Sequence, residues 1–389
     1  MILLLLMLCL APLHAQTYTP GETYFGKDGL IEYQAGNIPL IISVPHGGRL
    51  EPTSIPDRDC DGCVYVMDSY TQELAREIRN AFAEKSGCYP HVIYNLLHRK
   101  KLDMNRALAE ATDSNEASTA YWMDYQGFID SAKSTVLQQH GKGLFIDLHG
   151  HGHTKQRIEY GYLLYGSQLR ESDSVLNTAK RIAVSSIRYL VGTNQGNRTH
   201  AELLRGEGAL GTLFAEQGFP GVPSLQDPCP EQADDYFNGG YNTLEHGSNP
   251  GGTIDAIQME LYSAIRFNTM QRSAFAKAFA TIVRSYLEKH YFEEFTRYTC
   301  QSTSVPAQIA DRVELYPNPA NDYFFINGEH DLSTAYSIRV VDLVGREVLI
   351  SESVVLPIQL DISTLQSGMY HVYITNAAYP SIVQQMIVL

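Results

Sequence analysis

The chain has 389 residues, of which 44% are apolar and 10% aromatic, a composition typical of proteins that fold around a packed core. Lysine and arginine total 29 against 43 aspartate and glutamate residues, which gives a formal charge of −14. So acidic a chain has no general attraction for phosphate backbones or anionic membrane surfaces, and we expect no nucleic-acid partner.

The first 16 residues are typical of a signal peptide. An apolar run extends from Ile2 to Leu10, and Ala11 to Ala15 supply small residues where a signal peptidase can cut. The run is about half of the roughly 20 residues that a membrane-spanning helix needs. We therefore expect export, and no transmembrane segment after signal removal.

Five cysteines remain after removal of the signal, at positions 60, 63, 88, 229 and 300. An odd number allows at most two disulfides and one free thiol, and the sequence does not reveal the pairing. Cys60 and Cys63 are spaced like half of a metal knuckle. No second pair has matching spacing, so a local disulfide or a plain loop is the favoured interpretation.

Residues 17–300 alternate short apolar runs with helical patterns. Leu40–Val44 predicts a buried strand that ends at Pro45, and Asp68–Lys85 predicts a helix. Further predicted elements are strands at His91–Leu97 and Leu144–Leu148 and a helix at Ser131–His140. This alternation favours an α/β domain with a mixed, mainly parallel sheet flanked by helices, with functional residues where strands end.

Residues 301–312 have the composition of a linker. The sequence pattern of residues 313–389 differs from that of residues 17–300. Short strands separated by turn residues predict a small β-sandwich without catalytic clusters. The predicted strands are Tyr323–Ile326, Ser337–Val341, Arg346–Ile350, Ile358–Ile362, Met369–Ile374 and Ser381–Val388.

This tail resembles the type IX secretion sorting domain. The matching motifs are Leu315–Ala320 (LYPNPA), Val341–Arg346 (VDLVGR) and Leu360–Ser363 (LDIS), in that order. The resemblance implies recognition by the type IX secretion machinery and passage across the outer membrane. The protein would then be released or attached to the cell surface. An accessory binding sandwich is the alternative.

Two histidines in the large domain are predicted metal ligands. His46 follows an apolar strand directly, and His149 closes another, each with glycine neighbours that let a ligand approach. Asp147 lies two residues before His149, on the same side of a strand, where it can accept the other ring N–H. His151 and His153 are further candidates, although a solvated side chain is favoured for His153.

Catalytic zinc sites in hydrolases take three nitrogen or oxygen ligands and leave one position for water. Asp68 is the predicted third ligand, at the start of its helix, where it could also act as the N-cap. Three other acids that follow His46 are alternatives to Asp68 as the third ligand: Glu51, Asp57 and Asp59.

A second predicted cluster is basic and contains Arg99, Asp103, Asn105 and Arg106. A guanidinium group grips a carboxylate through two parallel hydrogen bonds, and a neighbouring amide can orient it. A solvated basic loop is the alternative interpretation.

A third cluster combines Asn238-Gly239-Gly240 and His246-Gly247 with the segment Ile257–Leu261. Strand alternation puts Gln258 and Glu260 on one face. A carboxylate on an apolar strand is costly without a partner, so Glu260 is a predicted general base. A structural ion pair with Arg266 or Arg272 is the alternative.

Together these motifs, over roughly residues 36–275, resemble the N-formylglutamate amidohydrolase family, relatives of zinc carboxypeptidases and aspartoacylases. The resemblance implies a zinc carboxypeptidase-like fold and a zinc ion held by His46, an acid and His149. It also implies Asn105 and Arg106 on a substrate carboxylate, Arg99 near the scissile carbonyl, and Glu260 as the proton-transferring carboxylate. Asn238, Gly239 and Gly240 are expected at the substrate.

The predicted function is a secreted zinc-dependent amidohydrolase that acts on an N-acyl amino acid or peptide with a free carboxylate. Export argues against the cytoplasmic role of the named enzyme in histidine degradation. The alternatives are a secreted metallocarboxypeptidase or cell-wall peptide amidase, and a non-catalytic surface binding protein.

Overall fold

The structure is a computed structural model that describes residues 18–295, 300, 313–328, 335–342, 346–375 and 382–388. The predicted signal at residues 1–16 and the predicted linker at 301–312 lie outside the described residues. The chain divides into two units, residues 1–300 and residues 301–389.

The first unit is built on an eight-stranded mixed sheet with the order β1-β2-β4-β3-β5-β8-β6-β7. Four of its seven strand pairs, β4-β3, β3-β5, β5-β8 and β6-β7, are parallel. This confirms the prediction of a mixed, mainly parallel sheet. The strands are β1 (Thr23–Phe25), β2 (Ile31–Gln34), β3 (Leu40–Val44), β4 (His91–Asn95), β5 (Gly143–Gly150), β6 (Ile158–Gly161), β7 (Gly221–Val222) and β8 (Ile254–Leu261).

Helices cover the sheet on both faces, which is why its central strands are apolar throughout. Alternate residues of β3 enter different cores: Ile42 packs with α1 and α12, and Ile41 packs with α3. The helices are α1 (Thr71–Ser86), α2 (Leu108–Thr112), α3 (Glu116–His140), α4 (Gly166–Leu169), α5 (Asp173–Leu176), α6 (Ala179–Val184), α7 (Arg188–Thr193), α8 (His200–Arg205), α9 (Leu210–Glu216), α10 (Tyr241–His246), α11 (Ser263–Phe267) and α12 (Thr269–His290).

Two helix boundaries differ from the prediction. Helix α1 begins at Thr71 rather than Asp68, and α3 begins at Glu116 rather than Ser131. The first half of α3 alternates polar residues with Tyr121 and Tyr125, which are buried only because this face packs on the sheet. Tertiary packing, rather than local propensity, therefore extends the helix.

The disulfides are Cys60–Cys63 and Cys88–Cys300, and Cys229 is a free thiol. The second bridge joins the end of α1 to the end of the first unit. None of the described helices is both long and apolar enough to cross a membrane.

The second unit is a small β-sandwich of two antiparallel sheets, as predicted, with the strand orders β13-β10-β9 and β12-β11-β14-β15. Phe324, Ile338 and Val372 belong to the core that the two sheets share. The strands are β9 (Val313–Tyr316), β10 (Tyr323–Gly328), β11 (Tyr336–Asp342), β12 (Glu347–Val354), β13 (Ile358–Asp361), β14 (Gly368–Thr375) and β15 (Ile382–Val388).

Candidate metal centre and active site

The topology of the sheet brings His46 and His149 together. Strands β3 and β5 are parallel neighbours with Ser43 opposite Asp147, so their carboxyl ends meet at one edge of the sheet. His46 lies just beyond β3 and His149 lies within β5. Both side chains are buried, and their ring centroids are 4.8 Å apart.

Asp68 lies between the two imidazoles. Its Oδ2 atom is 3.1 Å from His149 Nδ1 and 3.5 Å from His46 Nδ1, and one ligand atom from each residue lies within 4.8 Å of the others. Two ligands bound to tetrahedral zinc at about 2.0–2.1 Å are about 3.3–3.4 Å apart. The buried His46 Nδ1 has no hydrogen-bond partner. These three atoms therefore fit a zinc ion with one position left for water.

A second carboxylate bonds to each imidazole at Nε2, the ring nitrogen that does not face Asp68. His46 Nε2 lies 2.7 Å from Asp103 Oδ1, and His149 Nε2 lies 2.8 Å from Asp147 Oδ2. A carboxylate on one ring nitrogen keeps the proton there and turns the other lone pair toward the centre. The structure places Asp147 as predicted. The sequence places Asp103 only in the basic cluster, because no local pattern links it to a histidine 57 positions away.

The electrostatics of the centre favour ionised carboxylates. Burial opposes the charge on Asp68, but the hydrogen bond from His149 and the nearby charges of His149 and His46 outweigh it and lower the pKa of this residue. Burial likewise opposes the charge on Asp103, and the charges of His46 and Arg99 bring its pKa well below the usual range. Both carboxylates are thus ready to bind a cation or an imidazole proton.

The alternative interpretation of Asp68 as a helix N-cap does not hold. Tyr70 occupies the cap position of α1 in a left-handed conformation, without a side-chain cap. The Asp68 carboxylate instead accepts from the Gly150 N–H at 3.2 Å, beside His149.

The three other acids considered as third ligand lie elsewhere. Glu51 and Asp57 pair with Lys100 and Lys101, each at 2.6 Å. Asp59 is exposed, and its backbone N–H donates to Asp113. Among the acids considered, the structure brings only Asp68 into a group with the two histidines.

Glu260 lies on β8, directly opposite His149 of β5. It is buried, and Gln258 Nε2 donates to its Oε1 at 3.0 Å. Burial raises the pKa of Glu260 to about 8, partly offset by the positive charge of His149.

The alternative of a structural ion pair for Glu260 does not hold within the described residues. The Arg266 guanidinium donates to the backbone carbonyls of Leu261, Ser69 and His151. Arg272 pairs with Glu77. Among the described residues, Glu260 is therefore a buried carboxylate next to the candidate metal centre that makes no direct ion pair with Arg266 or Arg272, although the Arg266 charge is near enough to act on it.

Three of the four residues of the basic cluster line the same cavity and the fourth, Asp103, is buried, so a solvated loop is the wrong interpretation. The cavity has a volume of about 660 Å³, and its lining includes Arg99, Asn105 and Arg106 together with the centre and Glu260. Arg99 Nε donates to Asp103 Oδ2 at 2.9 Å. The Asn105 amide lies 3.3 Å from His149 Nε2, and Arg106 donates to the Asn105 carbonyl at 2.8 Å.

Two of the three residues at 238–240 reach the cavity. Gly239 and Gly240 belong to its lining, whereas Asn238 does not, and the Asn238 carbonyl accepts from Leu163 N–H at 2.6 Å. A Cβ on Gly240 would lie 2.3 Å from the Asn105 amide. Only glycine allows this approach. Asn242, not identified from the sequence, donates its backbone N–H to Asn105 Oδ1 at 2.8 Å and so orients that amide.

His151 and His153 line the cavity and form a group with Glu159. His151 Nε2 bonds to the Arg157 carbonyl, and His151 Nδ1 accepts from the His153 N–H, so both ring nitrogens are used. His153 is not solvated as expected: its ring bonds to Glu159 at 2.8 Å and stacks on Phe237. Glu159 was not identified from the sequence.

Comparison with known protein families identifies the tail. Residues 314–389 match the family described as the secretion system C-terminal sorting domain. The chain is therefore sorted for secretion or cell-surface display, and its tail implies interaction with the type IX secretion machinery. No protein of curated function matches the sequence.

Several solved structures are similar to parts of this chain, among them the following three. An N-formylglutamate amidohydrolase from Ralstonia eutropha JMP134 is 10% identical over 69% of this chain and 98% of its own, with a TM-score of 0.41. A gene product of Agrobacterium tumefaciens is 14% identical over 67% and 95%, with a TM-score of 0.38. PorZ of the Porphyromonas gingivalis type IX system is 24% identical over 23% and 13%, with a TM-score of 0.18.

Proposed function

We propose that this secreted protein is a zinc-dependent amidohydrolase that cleaves the amide bond of a substrate with a free carboxylate. The observation that carries the proposal is the convergence of His46 Nδ1, Asp68 Oδ2 and His149 Nδ1 beside a buried carboxylate, Glu260, in an open cavity. Three ligands, an adjacent base and access for substrate are the requirements of metal-assisted hydrolysis.

Glu260 carries the proton transfer in this proposal. When bound, zinc lowers the pKa of a water molecule toward about 7 and polarises a carbonyl oxygen. Glu260 takes the proton from the attacking water and delivers it to the leaving amine. Its burial favours the protonated form, so the carboxyl group can hold the proton between the two transfers.

Arg99 stabilises the charge that develops on the carbonyl oxygen. Its Nε atom donates to Asp103 and its Nη1 atom donates to the Val66 carbonyl at 3.5 Å, which holds the guanidinium in the cavity lining. A preorganised donor of this kind is worth a factor of about 10² to 10³ in rate.

Arg106 and Asn105 select the substrate. The Arg106 side chain is 40% exposed and has spare donors, and Asn105 is held by the Asn242 N–H. A guanidinium and an amide side by side suit a carboxylate on the amine portion of the substrate. A metallocarboxypeptidase or a cell-wall peptide amidase would use the same residues. Because the cavity is open, the peptide substrates of these two enzyme classes remain alternatives.

The test combines metal analysis with hydrolysis. The purified full chain is expected to contain one zinc per molecule and to hydrolyse members of a panel of N-acyl amino acids, C-terminal peptides and muropeptide stems. Glu260→Gln should lower kcat by about 10² to 10⁴ while zinc remains bound. Exposed Glu245 provides the matched control, Glu245→Gln, which should keep full activity. An active Glu260→Gln enzyme would eliminate Glu260 as the base, and a chain that binds no zinc would point to a non-catalytic binding protein.

A further inference from the structure

The mouth of the cavity is lined by exposed apolar side chains. Val66, Phe267 and Phe237 are 76%, 55% and 43% exposed, and all three line the cavity that holds the metal centre. Single exposed apolar residues are common on protein surfaces, but several around one cavity indicate a binding surface.

A hydrogen bond and a ring contact connect the segments of two of these residues, Val66 and Phe267. Arg266 donates to the Ser69 carbonyl at 2.7 Å, which ties the segment of Val66 and Met67 to the end of α11. Phe267, the last residue of α11, packs edge-on against Tyr70 with ring centroids 4.9 Å apart. These contacts fix the position of the apolar wall, which we define as Val66, Met67 and Phe267 and which lies beside Asp68.

The apolar wall and the carboxylate-binding residues belong to different parts of the cavity lining. Asn105, to whose carbonyl Arg106 donates, adjoins Gly240 and Asn242, whereas the wall adjoins Ser69 and Arg266. With the substrate carboxylate on the amine portion, the wall is left for the acyl portion. A cavity of about 660 Å³ also exceeds what a formyl amino acid of about a dozen non-hydrogen atoms needs.

We infer that the substrate carries an apolar acyl portion, a medium-length alkyl chain or an apolar residue, which packs on Val66, Met67 and Phe267. This inference rests on the proposed function, because it assigns the acyl side of the same amide. Each buried CH₂ group improves binding by about fourfold. A ligand whose acyl chain is six carbons longer than acetyl, with about half of the added surface covered by the open wall, should therefore bind at least about 30-fold more tightly than the acetyl ligand.

The experiment measures binding rather than turnover. Calorimetry compares N-octanoyl-L-glutamate, kept below its micelle concentration, with N-acetyl-L-glutamate on the full Glu260→Gln chain. We expect octanoyl to bind at least about 30-fold more tightly. Adding Val66→Ser and Phe267→Ser should reduce this preference below about fivefold without changing acetyl binding. The matched control adds Phe25→Ser and Val184→Ser, which replace exposed residues of the same two types elsewhere and should keep the preference.

The outcomes separate this inference from the proposed function. Equal affinities for the two ligands overturn the apolar wall as an acyl site even if the enzyme hydrolyses amides. A preference that the wall substitutions abolish supports the site even if the wild-type chain hydrolyses nothing, in which case only the catalytic proposal fails. Wall substitutions that convert a dimer into a monomer and leave the ligand preference intact would make the wall an interface between copies, and the inference would be wrong.

Discussion

Asp103 bonds to both His46 and Arg99: its Oδ1 lies 2.7 Å from His46 Nε2, and its Oδ2 accepts from Arg99 Nε at 2.9 Å. The orientations of the His46 imidazole and of Arg99, the arginine that we propose at the substrate carbonyl, therefore depend on one buried carboxylate. A change at Asp103 is expected to affect both zinc affinity and catalysis.

Asp103→Asn should weaken zinc binding by about 10- to 100-fold, because the amide no longer fixes the His46 ring as the carboxylate does. Competition with a chelator of known affinity measures the change. Asp113→Asn, on the same stretch of chain and away from the imidazoles, serves as the control and should bind zinc normally. Unchanged zinc affinity in a folded Asp103→Asn protein would contradict the assigned link.

Asp68→Asn should remove zinc from the purified protein, since the variant loses one of three ligands and the charge that offsets the cation. Asp57→Asn and Glu51→Gln should retain it, because these carboxylates lie on Lys101 and Lys100. Metal content measured on all three proteins decides the third ligand. Loss of zinc only from a Glu51 or Asp57 variant would reverse the assignment.

Arg106→Ala should raise KM for carboxylate-bearing amides by about 10- to 100-fold, the expected cost of a lost charged hydrogen bond. For the same substrates with the carboxylate converted to an amide, KM should change little. Steady-state kinetics on matched acid and amide substrates gives the comparison. Equal effects on both would mean that Arg106 does not bind the carboxylate.

Asp255 makes stability depend on pH. Burial raises the pKa of Asp255 to about 7 in the folded protein, although Ser248 and Tyr291 donate hydrogen bonds to it. Between about pH 4 and pH 7 the unfolded chain ionises this group while the folded chain keeps the proton, so the free energy of unfolding falls as pH rises through this window.

Asp255→Asn removes this titration and should therefore stabilise the first unit, relative to wild type, more at pH 8 than at pH 5. The expected difference is about 2–3 kcal/mol. Urea denaturation followed by fluorescence of Trp122, the single tryptophan of the chain, reports on this unit. Exposed Asp235→Asn should show the same small effect at both pH values. A pH-independent effect of Asp255→Asn would show that Asp255 folds ionised.

Deletion of residues 313–389 should leave the protein in the periplasm, because the tail matches a secretion sorting domain. Fractionation of the native host into periplasm, outer membrane and medium measures the location. Full-length Glu260→Gln should be exported like the wild type, which separates sorting from activity. Normal export of the truncated chain would rule out the tail as the sorting signal.

Local patterns were sufficient for much of the site. The position of His46 after an apolar run predicts a histidine at a strand end, and spacing of two residues places Asp147 and His149 on the same side of β5. Spacing of two also places Gln258 beside Glu260, which the structure joins by a hydrogen bond. These features depend only on strand periodicity, which is a property of neighbouring residues.

Other features depended on contacts between distant segments. Asp103 reaches His46 across 57 positions, Asn242 orients Asn105 across 137, and the face of α3 that carries Tyr121 and Tyr125 is buried only against the assembled sheet. The sequence by itself therefore determined the strands, the sorting tail and the chemical types available at each strand end, because these follow from local periodicity and motif. Only the tertiary structure decided which carboxylate serves which imidazole and which apolar residues face the cavity, because hydrogen bonds and burial are set by distance in space rather than by distance along the chain.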